Sequence, residues 1–197
     1  MESTRPAPLQ RLSIALLYAA VVAFALTAGA LQFTRTDLDP MAMPLSTYLR
    51  GPGGACLRGA YDLMAASLAV FAFAGYRATL RAQRSALASM LFMVAALALP
   101  VVAHTVLFEN TAQENLARLL HGLAAQATFL CLVMGMLLWS SRWQREEGVR
   151  KRRAGVVLAW LAFVQMWMLA LWKGLPPGLM QKLLIVLILL WLGWAAS

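Results

Sequence analysis

Residues His104 to His121 read HTVLFENTAQENLARLLH, a short polar connection between two long apolar runs. Each flanking run is close to the roughly twenty residues that carry a helix across a bilayer core. The connection gathers two imidazoles, two acids (Glu109 and Glu114) and Arg118 near one edge of a membrane. No other window combines so many titratable side chains with apolar flanks on both sides.

Composition extends this reading to the whole chain. Hydrophobic residues make up 61% of the 197 and charged residues 13%, with a net charge of +9. In a soluble domain that charge would point to nucleic acid, but here the basic residues sit at the ends of apolar runs, as orientation signals do. The chain therefore reads as an all-α integral membrane bundle of six transmembrane helices, a single membrane domain that binds no nucleic acid. The spans are expected near 12–33, 57–76, 86–108, 119–140, 154–172 and 179–196.

Arg5 and Arg11 before the first apolar run, and Ala28-Gly29-Ala30 near its end, also fit a cleaved leader peptide. Retention and cleavage leave the downstream topology the same. The first connection, Thr34 to Cys56, is the longest and carries Asp37, Asp39, Ser46, Tyr48 and Arg50. It reads either as a cap folded over the membrane surface or as an exposed linker, and Gly51-Pro52-Gly53-Gly54 breaks it from the second span.

Orientation follows from basic residues. Eleven of the 17 Lys and Arg (Arg5, Arg11, Arg77, Arg81, Arg84, Arg142, Arg145, Arg150, Lys151, Arg152 and Arg153) fall on the side holding both termini. That side is the cytoplasm by the positive-inside rule, so both termini are expected there. Asp39, Asp62, Glu109, Glu114 and both histidines fall on the opposite side.

Within the second span Arg58 and Asp62 stand four residues apart on one helix face, and Ala66 and Ala69 extend that face with small residues. The expectation is an Arg58–Asp62 ion pair turned into the bundle. Pro100 removes a backbone donor one turn before His104 and is expected to bend the third span. His121 continues along Ala125, Thr128 and Gly135, a small-residue stripe, and exposing the His104 imidazole to lipid is costly, so both imidazoles are expected to face inward from the same edge. Lys182 can snorkel to water or reach an acid. Cys56 and Cys131 are too far apart in depth, ~18 Å at ~1.5 Å per helical residue, to form a disulfide.

Six spans with this punctuation resemble the bacterial DUF998 family of unknown function. The resemblance rests on Pro44-Leu45-Ser46-Thr47-Tyr48, Leu107-Phe108-Glu109-Asn110, Leu120-His121-Gly122 and Gly178-Leu179-Met180-Gln181-Lys182. The chain departs from that pattern near Glu109 and Asn110, where it lacks a Pro and an Asp, and at Lys182, where the pattern carries Arg. The resemblance implies a fold and a membrane, and no activity.

The polar residues define one candidate pocket: Asp39, Ser46, Tyr48, Arg58, Asp62, His104, Glu109, His121, Gln181 and Lys182. Its expected occupant is a lipid head group or another small amphiphile, since cations between helices suit anionic groups. Membrane lipids are the expected partners, with a protein partner or a second copy of the chain also open. Two alternatives use the same groups. His104, His121 and Glu109 could hold a divalent metal in a hydrolase or transferase, with His121 as base and Asp62 as its orienter. Two imidazoles could instead ligate a b-type haem, although adjacent helices about 8–10 Å apart leave little room for one.

Overall fold

A computed structural model describes residues 8–78, 86–146, 153–172 and 174–197. The described residues form six helices, α1 (Pro8–Thr34), α2 (Gly54–Ala78), α3 (Ala86–His104), α4 (Glu114–Glu146), α5 (Arg153–Leu171) and α6 (Pro177–Ala195). All six are long and apolar enough to cross a membrane. Among the described residues there is no strand. Even the shortest, at 19 residues, spans about 28 Å at ~1.5 Å per residue, close to the hydrocarbon thickness of a bilayer. Of the cations used to set orientation, Arg5, Arg81, Arg84, Arg150, Lys151 and Arg152 lie outside the described residues, as does Lys173.

Helix ends follow the sequence breaks, with two shifts. The fourth helix starts at Glu114, a turn before the apolar run at Leu119, because Glu114 satisfies the free backbone N–H of Asn110 across the turn (3.0 Å). The sixth starts at Pro177, whose missing N–H costs nothing in the first turn. Pro100 stands inside α3, which continues as helix to His104 before a short 3₁₀ turn, Thr105–Phe108.

Each helix packs against its sequence neighbours, and α6 closes back on α1. The core is unequal along its length. Toward the end that carries the α2–α3 and α4–α5 connections, Phe92 stacks between Trp139 (4.6 Å between centroids) and Trp191 (5.8 Å), and Trp143 stacks on both tryptophans. The Trp191 indole N–H donates to Ser140 Oγ at 2.8 Å, which satisfies its polar atom in an otherwise apolar layer. Gly135 permits this packing, since a Cβ there would stand 2.8 Å from the Phe92 ring.

The other end is covered by the 35–53 connection. A 3₁₀ turn, Leu45–Leu49, buries Leu45, Tyr48 and Leu49 against α2, α3 and α6. The Leu179 N–H donates to Met41 O (2.9 Å), and the Leu45 N–H donates to Gln181 Oε1 (2.8 Å). The segment leaves through Gly51 (φ +69°) and Gly53 (φ +76°), in the left-handed region that costs a residue with a Cβ about 1–2 kcal/mol. At Gly53 a Cβ would also stand 2.6 Å from Leu31 Cδ2. Gly53→Ala is therefore expected to lower stability in detergent by at least the backbone figure of ~1–2 kcal/mol, read as a drop in thermal midpoint. An unchanged midpoint would mean that this turn does not hold the cap.

Candidate functional site

The cap is pinned by a residue that sequence patterning does not single out. Arg35 follows the last turn of α1 and is 9% exposed. Its Nε and Nη2 donate to the two Asp37 carboxylate oxygens, both at 2.7 Å, and its Nη1 donates to the Arg50 carbonyl at 2.6 Å. One guanidinium thus ties both ends of the connection together. It holds the Asp37 carboxyl below the usual carboxylate range, through the hydrogen bonds first and the charge second. Beside it the Tyr48 hydroxyl is buried without a hydrogen-bond partner, and burial pushes its titration up.

The remaining cap residues have structural partners. Asp39 Oδ1 accepts from the Met41 N–H at 2.8 Å, an Asx-type turn. Lys182 Nζ donates to the Pro40 carbonyl (2.5 Å) and lies 5.0 Å above the Tyr48 ring. It therefore meets a backbone carbonyl and an aromatic face, with no carboxylate in contact.

Two expectations about the second and third spans are corrected. Asp62 does not pair with Arg58: it bonds His104 Nε2 at 3.1 and 3.0 Å, while Arg58 donates to the Leu49 carbonyl at 2.5 Å. Nor do Asp62 and His104 face inward, since their side chains are 45% and 44% exposed. The physical reason is competition between helix faces. Tyr61, Met64, Ala65 and Leu68 occupy the core side of α2, which leaves Asp62 and the exposed Ala66 outside. On α3, Leu97 is 69% exposed on the face that leads to His104.

His121 does face inward, along the stripe through Ala125 and Thr128. Its Nδ1 lies 3.1 Å from the Val102 carbonyl and 3.0 Å from Thr105 Oγ1. A carbonyl can only accept, so Nδ1 carries the hydrogen and Nε2 of the neutral ring is an acceptor. The orienter of His121 is thus a backbone carbonyl on α3, where the sequence reading names Asp62.

Two spaces meet at this imidazole. The first is an apolar cavity with about 650 Å³ of empty space, its mouth included. It runs between α1, α2, α3, α4 and α6 from Ser46, His121 and Gln181 past Tyr61 and Thr128 to Leu132 and Leu192. The second is a polar pocket, open to solvent, lined by Arg50, Thr105, Val106, Glu109, Glu114, Ala117, Arg118 and His121. In it Arg50 pairs with Glu109 at 2.9 Å and Arg118 with Glu114 at 2.5 Å. Ser46 Oγ, Gln181 Nε2 and His121 Nε2 have no hydrogen-bond partner among the described residues.

Of the residues expected to share one pocket, Ser46, Gln181 and His121 line the cavity, and Glu109 lines the polar pocket beside it. Asp39, Tyr48, Arg58, Asp62, His104 and Lys182 line neither. The three residues considered for a metal are apart in function: His104 engages Asp62, Glu109 engages Arg50, and His121 engages Val102. Among the described residues no three His, Cys, Asp or Glu side chains converge as a metal would need. Of the two imidazoles considered for a haem, His121 lines both spaces and His104 lines neither. Cys56 and Cys131 are both free, and Cys131 packs against the core.

The family model described as a protein of unknown function, DUF998, matches residues 6–197. The chain belongs to the DUF998 family. No curated protein and no solved structure matches it. The match spans all six helices, the cap and the two spaces that meet at His121, so this DUF998 chain has its whole candidate site within the family region.

Two measurements check the site. A double-mutant cycle of Asp62→Asn with His104→Gln should give a coupling of about 0.2–1 kcal/mol, as for other half-exposed pairs. The cycle with Arg58→Gln should give none, and the reverse pattern would restore the Arg58 pair. For the cap, the depressed Asp37 titration means that the Arg35–Asp37 bonds stabilise fully above the free-aspartate value of about 3.9. They are lost only as pH falls through the lower folded value. Hydrogen exchange of the Leu45–Leu49 amides, corrected for intrinsic pH dependence, should stay slow from neutral to about pH 4. It should accelerate at neutral pH in Arg35→Gln.

Proposed function

We propose that this chain is a multi-pass membrane protein that binds a lipid-like amphiphile, its chain in the apolar cavity and its head in the adjoining polar pocket. The observation that carries the reading is that one side chain, His121, lines both spaces. A molecule with joined apolar and charged parts needs such adjacency, whereas a purely polar solute has no use for a cavity lined by Phe24, Leu99, Phe129 and Ile188. The unpaired Ser46, Gln181 and His121 groups at the mouth supply the few convergent polar atoms that orient a ligand.

The distribution of Lys and Arg supports a bacterial inner-membrane location with both termini in the cytoplasm and the cap outside. In that orientation the polar pocket lies at the outer leaflet, level with lipid head groups.

The test is to fill the cavity. Ala125 lines it behind His121, and Ala125→Trp puts an indole where the chain would lie. An indole in the chain's place should cut the amphiphile retained through detergent purification roughly tenfold or more, read by native mass spectrometry. Leu123→Trp, at a residue 55% exposed on the same helix, should retain as much as the wild type. Equal retention by Ala125→Trp would remove the cavity from the account.

A further inference from the structure

The charge pattern of the polar pocket narrows the class of head group, and this step rests on the amphiphile reading above. Its charged lining consists of two guanidiniums and two carboxylates, Arg50 with Glu109 and Arg118 with Glu114, so with His121 neutral the pocket has no net charge. An anionic head would add an uncompensated negative charge to this balanced lining, and a cationic head an uncompensated positive one. A head with both signs can insert into a pair and match each half.

The free valences fall the same way. Each guanidinium has five N–H donors, of which the internal ion pair takes only part. Glu114 uses both oxygens, one on Arg118 and one on the Asn110 N–H at 3.0 Å. Glu109 has a single charged partner, Arg50, on Oε1, and its side chain is 40% exposed. His121 Nε2 is a further acceptor at the join to the cavity. The pocket therefore offers donors for a phosphate and acceptors with hydrogen-bonding capacity to spare for an N–H-bearing cation.

We infer that the pocket selects a zwitterionic phospholipid whose head joins a phosphate to a primary ammonium, with Arg50 and Arg118 on the phosphate and Glu109 on the ammonium. A phosphocholine head has the same charges but no N–H to donate, so it forgoes the hydrogen bonds to Glu109. A phosphoglycerol head has the phosphate alone and leaves Glu109 facing a second anion.

The full-length protein in mild detergent is offered equal amounts of phosphoethanolamine, phosphocholine and phosphoglycerol lipids with identical chains, and the bound lipid is counted by native mass spectrometry. The expected result is a roughly tenfold preference for the phosphoethanolamine lipid over the phosphoglycerol one, with phosphocholine between them. Glu109→Gln should erase the preference for phosphoethanolamine over phosphocholine while some lipid stays bound. Arg118→Gln, at a side chain 74% exposed, should weaken all three. Water-soluble glycerophosphoethanolamine in excess should not displace the bound lipid, and displacement would assign the site to a soluble zwitterion. Equal binding of the three heads, a phosphoglycerol preference, or an undiminished preference in Glu109→Gln overturns the inference but leaves amphiphile binding standing. Retention of no lipid with any head overturns both. A wild-type thermal midpoint in Glu109→Gln and Arg118→Gln shows that lost selectivity is not lost folding.

Discussion

Arg35 has to be satisfied where α1 leaves the bilayer, and it does so by closing the connection that follows. The guanidinium is nearly buried, so leaving any of its face unmatched is expensive. It takes both oxygens of Asp37 and then reaches the Arg50 carbonyl, which lies fifteen residues further on. That fold-back brings Leu45, Tyr48 and Leu49 into the bundle and puts Ser46 at the cavity mouth. It also turns the Arg50 side chain toward Glu109 in the α3–α4 connection. Two connections that are remote in sequence are thereby held together at one end of the molecule.

Hydrogen bonds to backbone carbonyls do much of this work. Arg35, Arg58 and Lys182 each place a cationic nitrogen on a main-chain oxygen of the cap, at Arg50, Leu49 and Pro40. A tight loop near a membrane has few partners for its carbonyls, and a cation is a strong donor in a setting of reduced polarity. The cap owes its shape to these bonds as well as to the three apolar side chains it buries.

The same bonds explain how much can be read from sequence. The six helices and their approximate ends are legible, because apolar runs, glycine and proline breaks and basic flanks act locally and the bilayer sets their length. The inward face of His121 is legible in Ala125 and Thr128, which no bulkier stripe on α4 displaces from the cavity. Asp62 defeats the same rule. Its neighbours Ala66 and Ala69 look like a packing seam, but Tyr61, Met64 and Leu68 on the adjoining face give the core more contact. Arg58 defeats charge matching, since an acid four residues away is conspicuous and a carbonyl at Leu49 is not. The apolar lining of the cavity is equally silent, because leucine and isoleucine suit a void, a core and lipid alike.

The Phe92, Trp139, Trp143 and Trp191 rings stack against one another next to the cavity's end at Leu99, Leu132 and Leu192. Rigid flat side chains in stacked contact pack that end densely. The bundle is thus hollow toward the cap and solid toward its opposite end, two regimes of packing within one set of helices.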